Sequence, residues 1–281
     1  MLSAVTSNRY VAATRRAAGD AAQENLSFIA GGVAFFGFLA VFPALGAAIM
    51  VWGLVADPSM IEERLARFGE MAPPAAWEVI SGQLERIAAG SSASLGLGAL
   101  VALVLAFWSA AKGARALIAA MNIAYAEDDE RNFIKSNLVA LAFTIGGILY
   151  AVATLILVGA LPAILSAISL GAFAEAAIEA ARWLVAVILF ALALSALYRF
   201  APDREAKPGF KLLAPGAVAA TLLWIAASVG FSVYTANFAD YNATFGALGS
   251  VAVLMLWMWI SAFIVCFGAV LNAELEPGGR S

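Results

Sequence analysis

The chain has 281 residues, 63% hydrophobic and only 12% charged, with a net charge of −3 and a mean hydropathy of +0.91. A water-soluble domain of this size would lack the charge to cover its surface, so the composition points to a bilayer. There is no clustered Lys/Arg footprint for nucleic acid, no histidine to act as general base or metal ligand, and a single cysteine, Cys266, that rules out an intrachain disulfide.

The first 24 residues are polar and helical in character, with Arg9, Arg15 and Arg16. They read as an amphipathic cytoplasmic segment at the inner membrane surface. The apolar run that follows is much longer than a signal-peptide core, so it reads as a retained first span. Charge-free runs then recur along the chain at 25–56, 87–111, 136–174, 183–198, 212–239 and 241–273. A helix rising about 1.5 Å per residue needs about 20 residues to cross a hydrocarbon core of about 30 Å. Spans are expected near 31–55, 95–117, 137–161, 182–200, 213–236 and 247–271, inside a membrane domain of residues 25–275. The fourth is short, and its flanking Arg182 and Arg199 can snorkel to the two interfaces. Lipid offers no partners to backbone polar groups and the runs do not alternate as barrel strands do, so the fold class expected is all-α: a polytopic bundle of six transmembrane helices.

Between spans one and two, the outer loop 57–94 carries spaced charges and apolar residues around Pro73-Pro74. It reads as two short amphipathic helices, 61–71 and 76–89, lying on the bilayer or capping the bundle. Residues 162–181 read as a similar, more apolar outer segment, and 276–281 as a cytoplasmic tail. Orientation follows from the basic residues. Arg9, Arg15, Arg16, Lys112, Arg115, Arg131, Lys135, Arg199, Arg204, Lys207, Lys211 and Arg280 fall on one side, against Arg64, Arg67, Arg86 and Arg182 on the other. The excess marks the cytoplasmic face, giving N-in and C-in.

Each candidate site has a plainer alternative. In span one, Gly31, Gly32, Gly37 and Pro43 make either a hinge or the ordinary close packing of membrane helices. The loop from Asn237 to Gly249, with Asn237, Tyr241, Asn242 and Thr244, either dips into the bundle to meet a solute or is a tight hairpin with helix-capping amides. Glu274 closes span six as a proton or cation site, or as a carboxylate paired with a basic residue. Lys112 and Arg115, three apart and so on one helical face, either attract an anionic headgroup or solute or simply anchor the span. The acidic run 127–130 more plausibly faces water than holds a divalent ion. The tryptophans fall mostly near span ends, as an interfacial belt; Trp257 and Trp259 lie deeper and suit packing between helices. No nucleotide-binding loop, nucleophile elbow or paired-cysteine motif is present. No metal, cofactor or catalytic residue is expected.

These residues resemble the YihY/BrkB family of bacterial inner-membrane proteins, from about Asn25 to Glu274. The features are the aromatic run Ala34 to Pro43; Lys112-Gly113 through Asn122 and Tyr125 to Arg131; Tyr198 and Pro202 with Pro215-Gly216 and Trp224; and the Asn237–Gly249 loop leading to Asn272-Ala273-Glu274-Leu275. Gly31, Gly32 and Gly37 stand where the family tends to have Ala or Tyr. The resemblance implies six helices in the bacterial inner membrane and no settled activity: some members have been called ribonucleases, others are linked to virulence or serum resistance, and a transporter is the usual guess. The expectation is a non-ATP-driven transporter or exporter of a small or lipid-like solute, with the lipid bilayer as its main partner. The alternative is an envelope-organising protein that binds lipid or a partner protein. A ribonuclease is disfavoured, because the sequence supplies no histidine and no basic groove.

Overall fold

The computed structural model describes residues 2–23, 25–55, 92–161, 171–204, 212–236 and 247–276. The regular elements among them are helices: α1 (Leu2–Gln23), α2 (Leu26–Val55), α3 (Ser92–Ala124), α4 (Phe133–Leu155, continued by a π-helical turn, Ile156–Ala160), α5 (Ala172–Phe200), α6 (Pro215–Ala236) and α7 (Ala247–Leu275). Helices α3 to α7 are each long and apolar enough to cross a membrane, and α1 with α2 forms a bent pair, 72° at the break, that makes a sixth when counted as one span. The all-α polytopic reading therefore holds. The predicted loop helices 61–71 and 76–89 lie outside the described residues.

Local chemistry sets the boundaries. At the α1–α2 elbow Asn25 takes a left-handed φ of 53°, a conformation Asn tolerates better than most residues. Its carbonyl accepts from the N–H groups of Phe28 and Ile29. Helix α3 stops where Ala126 turns left-handed (φ 54°) and the N–H of Glu127 closes back on the carbonyl of Asn122 at 2.9 Å. Helix α4 starts behind an N-cap, Asn132, whose Oδ1 accepts from the N–H of Lys135 at 2.9 Å.

One boundary differs from expectation. The helix of the fourth span, α5, begins at Ala172, ten residues before Arg182. The alanine-rich stretch ahead of Arg182 is a strong helix former, and Arg182 pairs with Glu179 one turn earlier, so its charge does not end the helix. The part of 162–181 from Ala172 on thus belongs to α5 rather than to a separate outer segment. The sharp bend at Asn25 falls where the polar first segment meets the apolar run, and α2 continues as a helix past Pro43.

The burial pattern is inverted relative to a soluble protein. Buried positions are dominated by small side chains such as Ala30, Ala34, Ala120, Ala124, Ala217, Ala220 and Ala269, while large apolar side chains such as Leu103, Phe107, Leu138, Leu149, Leu184, Leu222 and Val233 face outward. In water those faces would drive aggregation; in lipid they are solvated, and small residues let the helix backbones close on one another. The most confined crossing joins α6 to α7. A Cβ added at Gly216 would lie 2.2 Å from the carbonyl oxygen of Gly268, and one added at Gly268 would lie 2.5 Å from both Ala220 Cβ and Tyr198 Oη.

Around the bundle the neighbours run α4, α3, α2, α7, α6, α5, with α1 lying on α7. Helices α4 and α5 complete the ring through polar side chains at their two ends. At one end Arg182 donates to the carbonyl of Val158 in the π-helical turn at 2.9 Å. At the other, Lys135 in the first turn of α4 lies 3.4 Å from Asp203, just past α5.

Candidate functional site

The end of the bundle where α3, α5 and α7 finish and α4 and α6 begin gathers most of the buried polar groups. Asn272, near the C-terminus of α7, is its hub. Its Oδ1 accepts from the backbone N–H of Gly216 at 3.1 Å, and its Nδ2 donates to Tyr125 Oη and to Glu276 Oε1, both at 2.9 Å. Gly216 follows Pro215 at the start of α6, where the first N–H groups have no partner within the helix. One side-chain amide therefore satisfies a helix terminus and ties α3, α6 and α7 together. Burial pushes the Tyr125 phenol up, with the charge of Glu276 adding to it, so the ring presents a neutral hydroxyl.

Arg204 extends the knot. It donates to Glu276 Oε2 at 2.6 Å and to the carbonyl of Tyr198 at 2.7 Å, and its guanidinium lies 4.1 Å from the Tyr125 ring centre. Arg131 enters from the α3–α4 connection. It pairs with Asp203 at 3.1 Å and donates to the carbonyl of Ala201 at 2.7 Å. Two guanidinium groups thus meet the carbonyl end of α5, where the helix dipole favours positive charge. The backbone N–H of Asp203 is taken by Asn122 Oδ1 at 2.9 Å. Burial pushes the Asp203 carboxyl up, but the charges of Arg131 and Lys135 more than reverse that and hold it below the ordinary carboxylate value. Tyr198, fully buried, donates to the carbonyl of Val265 at 2.7 Å and joins α5 to α7.

The positions singled out in sequence separate here. Glu274 is brought to this end and pairs with Arg16 of α1, its side chain 7% exposed. Lys112 lies over the ring of Trp108, 5.2 Å from its centre, and Arg115 donates to Asn137 Oδ1 on α4. Pro43 lies within α2. Asn237, Tyr241, Asn242 and Thr244 lie outside the described residues. Asp203, Arg204 and Glu276 carry much of the knot and were not singled out as site residues; their signal is a charge just past a span end, next to Pro202 for Asp203 and to Pro277 for Glu276. The acidic run contributes Asp129, 3.8 Å from Arg131. Among the described residues no group of His, Cys, Asp and Glu is arranged to hold a metal ion.

A second feature is apolar. A groove of about 690 Å³ runs between the α1–α2 elbow, α6 and α7, walled chiefly by alanine, leucine, isoleucine and phenylalanine side chains. An aromatic cluster closes the α5–α6–α7 contact: Trp224 lies 4.9 Å from Phe190 and 5.6 Å from Trp257, and its Nε1 donates to Ser261 Oγ at 3.0 Å.

Apolar outward faces, small-residue helix crossings and polar groups gathered at one end define a polytopic α-helical membrane protein. The comparisons with known proteins refine this class. The profile of the family described as Virulence factor BrkB matches residues 17–280, and the chain belongs to that family. YfkH of Bacillus subtilis, named only as ribonuclease-like, is 32% identical over 255 residues, which is 87% of this chain and 88% of the relative. A UPF0761 membrane protein of Photobacterium profundum is 27% identical over 260 residues, 90% of this chain and 77% of its own. Another, from Idiomarina loihiensis, is 36% identical over 94 residues, 34% of this chain and 32% of its own. No solved structure matches the chain.

Proposed function

We propose that the protein moves a lipid-like amphiphile without ATP, admitting it sideways from the bilayer. The observation that carries this reading is the groove beneath the elbow, which is lined almost entirely by apolar side chains and lies between the α1–α2 elbow and two helices long and apolar enough to cross a membrane. Such a wall favours an acyl chain over a hydrated solute, whose polar groups would go unpaired there. The sequence holds no nucleotide-binding loop, so any net movement is driven by a gradient or by a partner.

The test is flux in liposomes reconstituted with folded protein. A fluorescent phospholipid analogue is expected to exchange between leaflets faster than in protein-free liposomes, while small polar solutes stay at the background rate. Background rates for every solute class would overturn the proposal.

The polar knot favours a second reading, an envelope-organising protein that binds lipid or a partner. Its amide hub engages Gly216, Tyr125 and Glu276 at once, as expected of a rigid strut. The ribonuclease-like name of the Bacillus relative is not carried over. This chain has no histidine, and Arg131 and Arg204, the buried basic residues of the knot, are engaged with Asp203 and Glu276. RNA cleavage by purified protein, abolished in Asp128→Asn/Asp129→Asn, would reverse that judgement.

A further inference from the structure

The groove has a charged mouth. On α1, Ala18 and Ala22 line it, and Arg15 stands three residues before Ala18 and seven before Ala22. That spacing puts all three on one helical face, with Arg15 a turn beyond the groove wall. Arg15 is exposed and has no ion-pair partner among the described residues, whereas its neighbour Arg16 is held by Glu274. The groove descends from Asn25 at the elbow to Ala227 on α6 and Phe263 on α7. Each of those lies twelve residues from the end of its helix at the polar knot, roughly 18 Å at the helical rise. That is close to one leaflet, half of a hydrocarbon core of about 30 Å.

From these dimensions and this charge we propose that the groove seats one acyl chain of an anionic phospholipid, with the headgroup phosphate against Arg15. The chain lies along Ala22, Ala227 and Phe263, and the second chain of the same lipid stays in the bilayer. Amphipathic α1 lies over the mouth, so its cation meets the headgroup at the depth where the elbow turns the chain into the membrane. A guanidinium at the membrane surface attracts an anionic headgroup through its net charge and gains less from a zwitterion, whose ammonium group offsets the same phosphate. The groove supplies the chain contact, and Arg15 supplies the discrimination. This rests on the lipid-like reading above and names the class of lipid.

Native mass spectrometry of delipidated protein in detergent, incubated with phosphatidylglycerol or phosphatidylcholine, tests it. The wild type is expected to retain one phosphatidylglycerol several-fold more than phosphatidylcholine. Ala22→Trp, at an exposed position where the bulk can enter the groove without disturbing the bundle, is expected to lose retention of both lipids several-fold. Ala227→Phe, filling the deep end, is expected to do the same. Arg15→Gln is expected to keep the chain site and to bring the two lipids to equal retention. Equal retention of both lipids by the wild type, or wild-type retention in folded Ala22→Trp, would overturn the assignment. Lipid flux in liposomes, measured on the same proteins, separates the two claims. Wild-type flux with no groove-dependent retention sinks this site and leaves transport standing; retention without flux does the converse.

Discussion

Asn272 concentrates the chemistry of the polar knot in one side chain. Its amide has one acceptor and two donors engaged, on three helices, and the residue is 4% exposed. Asn272→Ala leaves the Gly216 N–H and the Tyr125 hydroxyl without this partner in a site from which water is excluded. A buried polar group so stranded costs about 2 kcal/mol, and thermal unfolding in detergent is expected to begin several degrees lower; an unchanged midpoint would count against the hub. Asp203 carries the pH dependence. Its folded-state value lies below the ordinary carboxylate value because of Arg131 and Lys135. Its contribution is therefore present at neutral pH and is lost as pH falls from the ordinary carboxylate range through the lowered value. Asp203→Asn should melt below the wild type at pH 7, and the gap should narrow as the pH falls through and below the ordinary carboxylate range. A gap that stays constant would show that the ion pair adds nothing.

The helices themselves were legible in the sequence because lipid forces each span to satisfy its own backbone, so long charge-free runs can hardly be anything else. What escaped local reading was the geometry at the boundaries. The join of the polar first segment and the apolar run is marked by composition, but the sharp turn there comes from a left-handed Asn25, which no periodicity announces. Likewise Arg182 looked like an interfacial boundary, yet a glutamate at i−3 lets the helix run past it. The knot was half legible. Asn122, Tyr125, Arg131, Tyr198, Gly216 and Asn272 stood out as separate signatures, but their meeting depends on how α3, α5, α6 and α7 align, which one-dimensional spacing does not encode. Arg182 also offers a test of how the ring closes. It donates to the Val158 carbonyl in the π-helical turn, and such turns leave backbone groups that need outside partners. Arg182→Leu removes that donor. Amide exchange across residues 156–160 should then quicken about five-fold, equivalent to about 1 kcal/mol of local opening; unchanged exchange would mean the α4–α5 seam is held by something else.

At the scale of the whole molecule, an apolar belt surrounds a ring of helices pinned at one end by the Asn272 knot, with an apolar groove beneath the α1–α2 elbow. Each part presupposes that the helices alternate across a bilayer. The contacts at the polar end are consistent with this alternation: Asn272 at the end of α7 meets the start of α6, and Arg131 before α4 meets the end of α5. Sided cysteine labelling tests the arrangement most directly. In a Cys266→Ala background, Ser7→Cys, Ser81→Cys and Ser281→Cys are exposed in intact cells to a membrane-impermeant maleimide. An even number of crossings with both termini inside predicts labelling at position 81 alone, with 7 and 281 reacting only after the membrane is opened. Positions 7 and 281 labelling from opposite sides would contradict it, and would remove the ring, the groove and the proposed lipid route together.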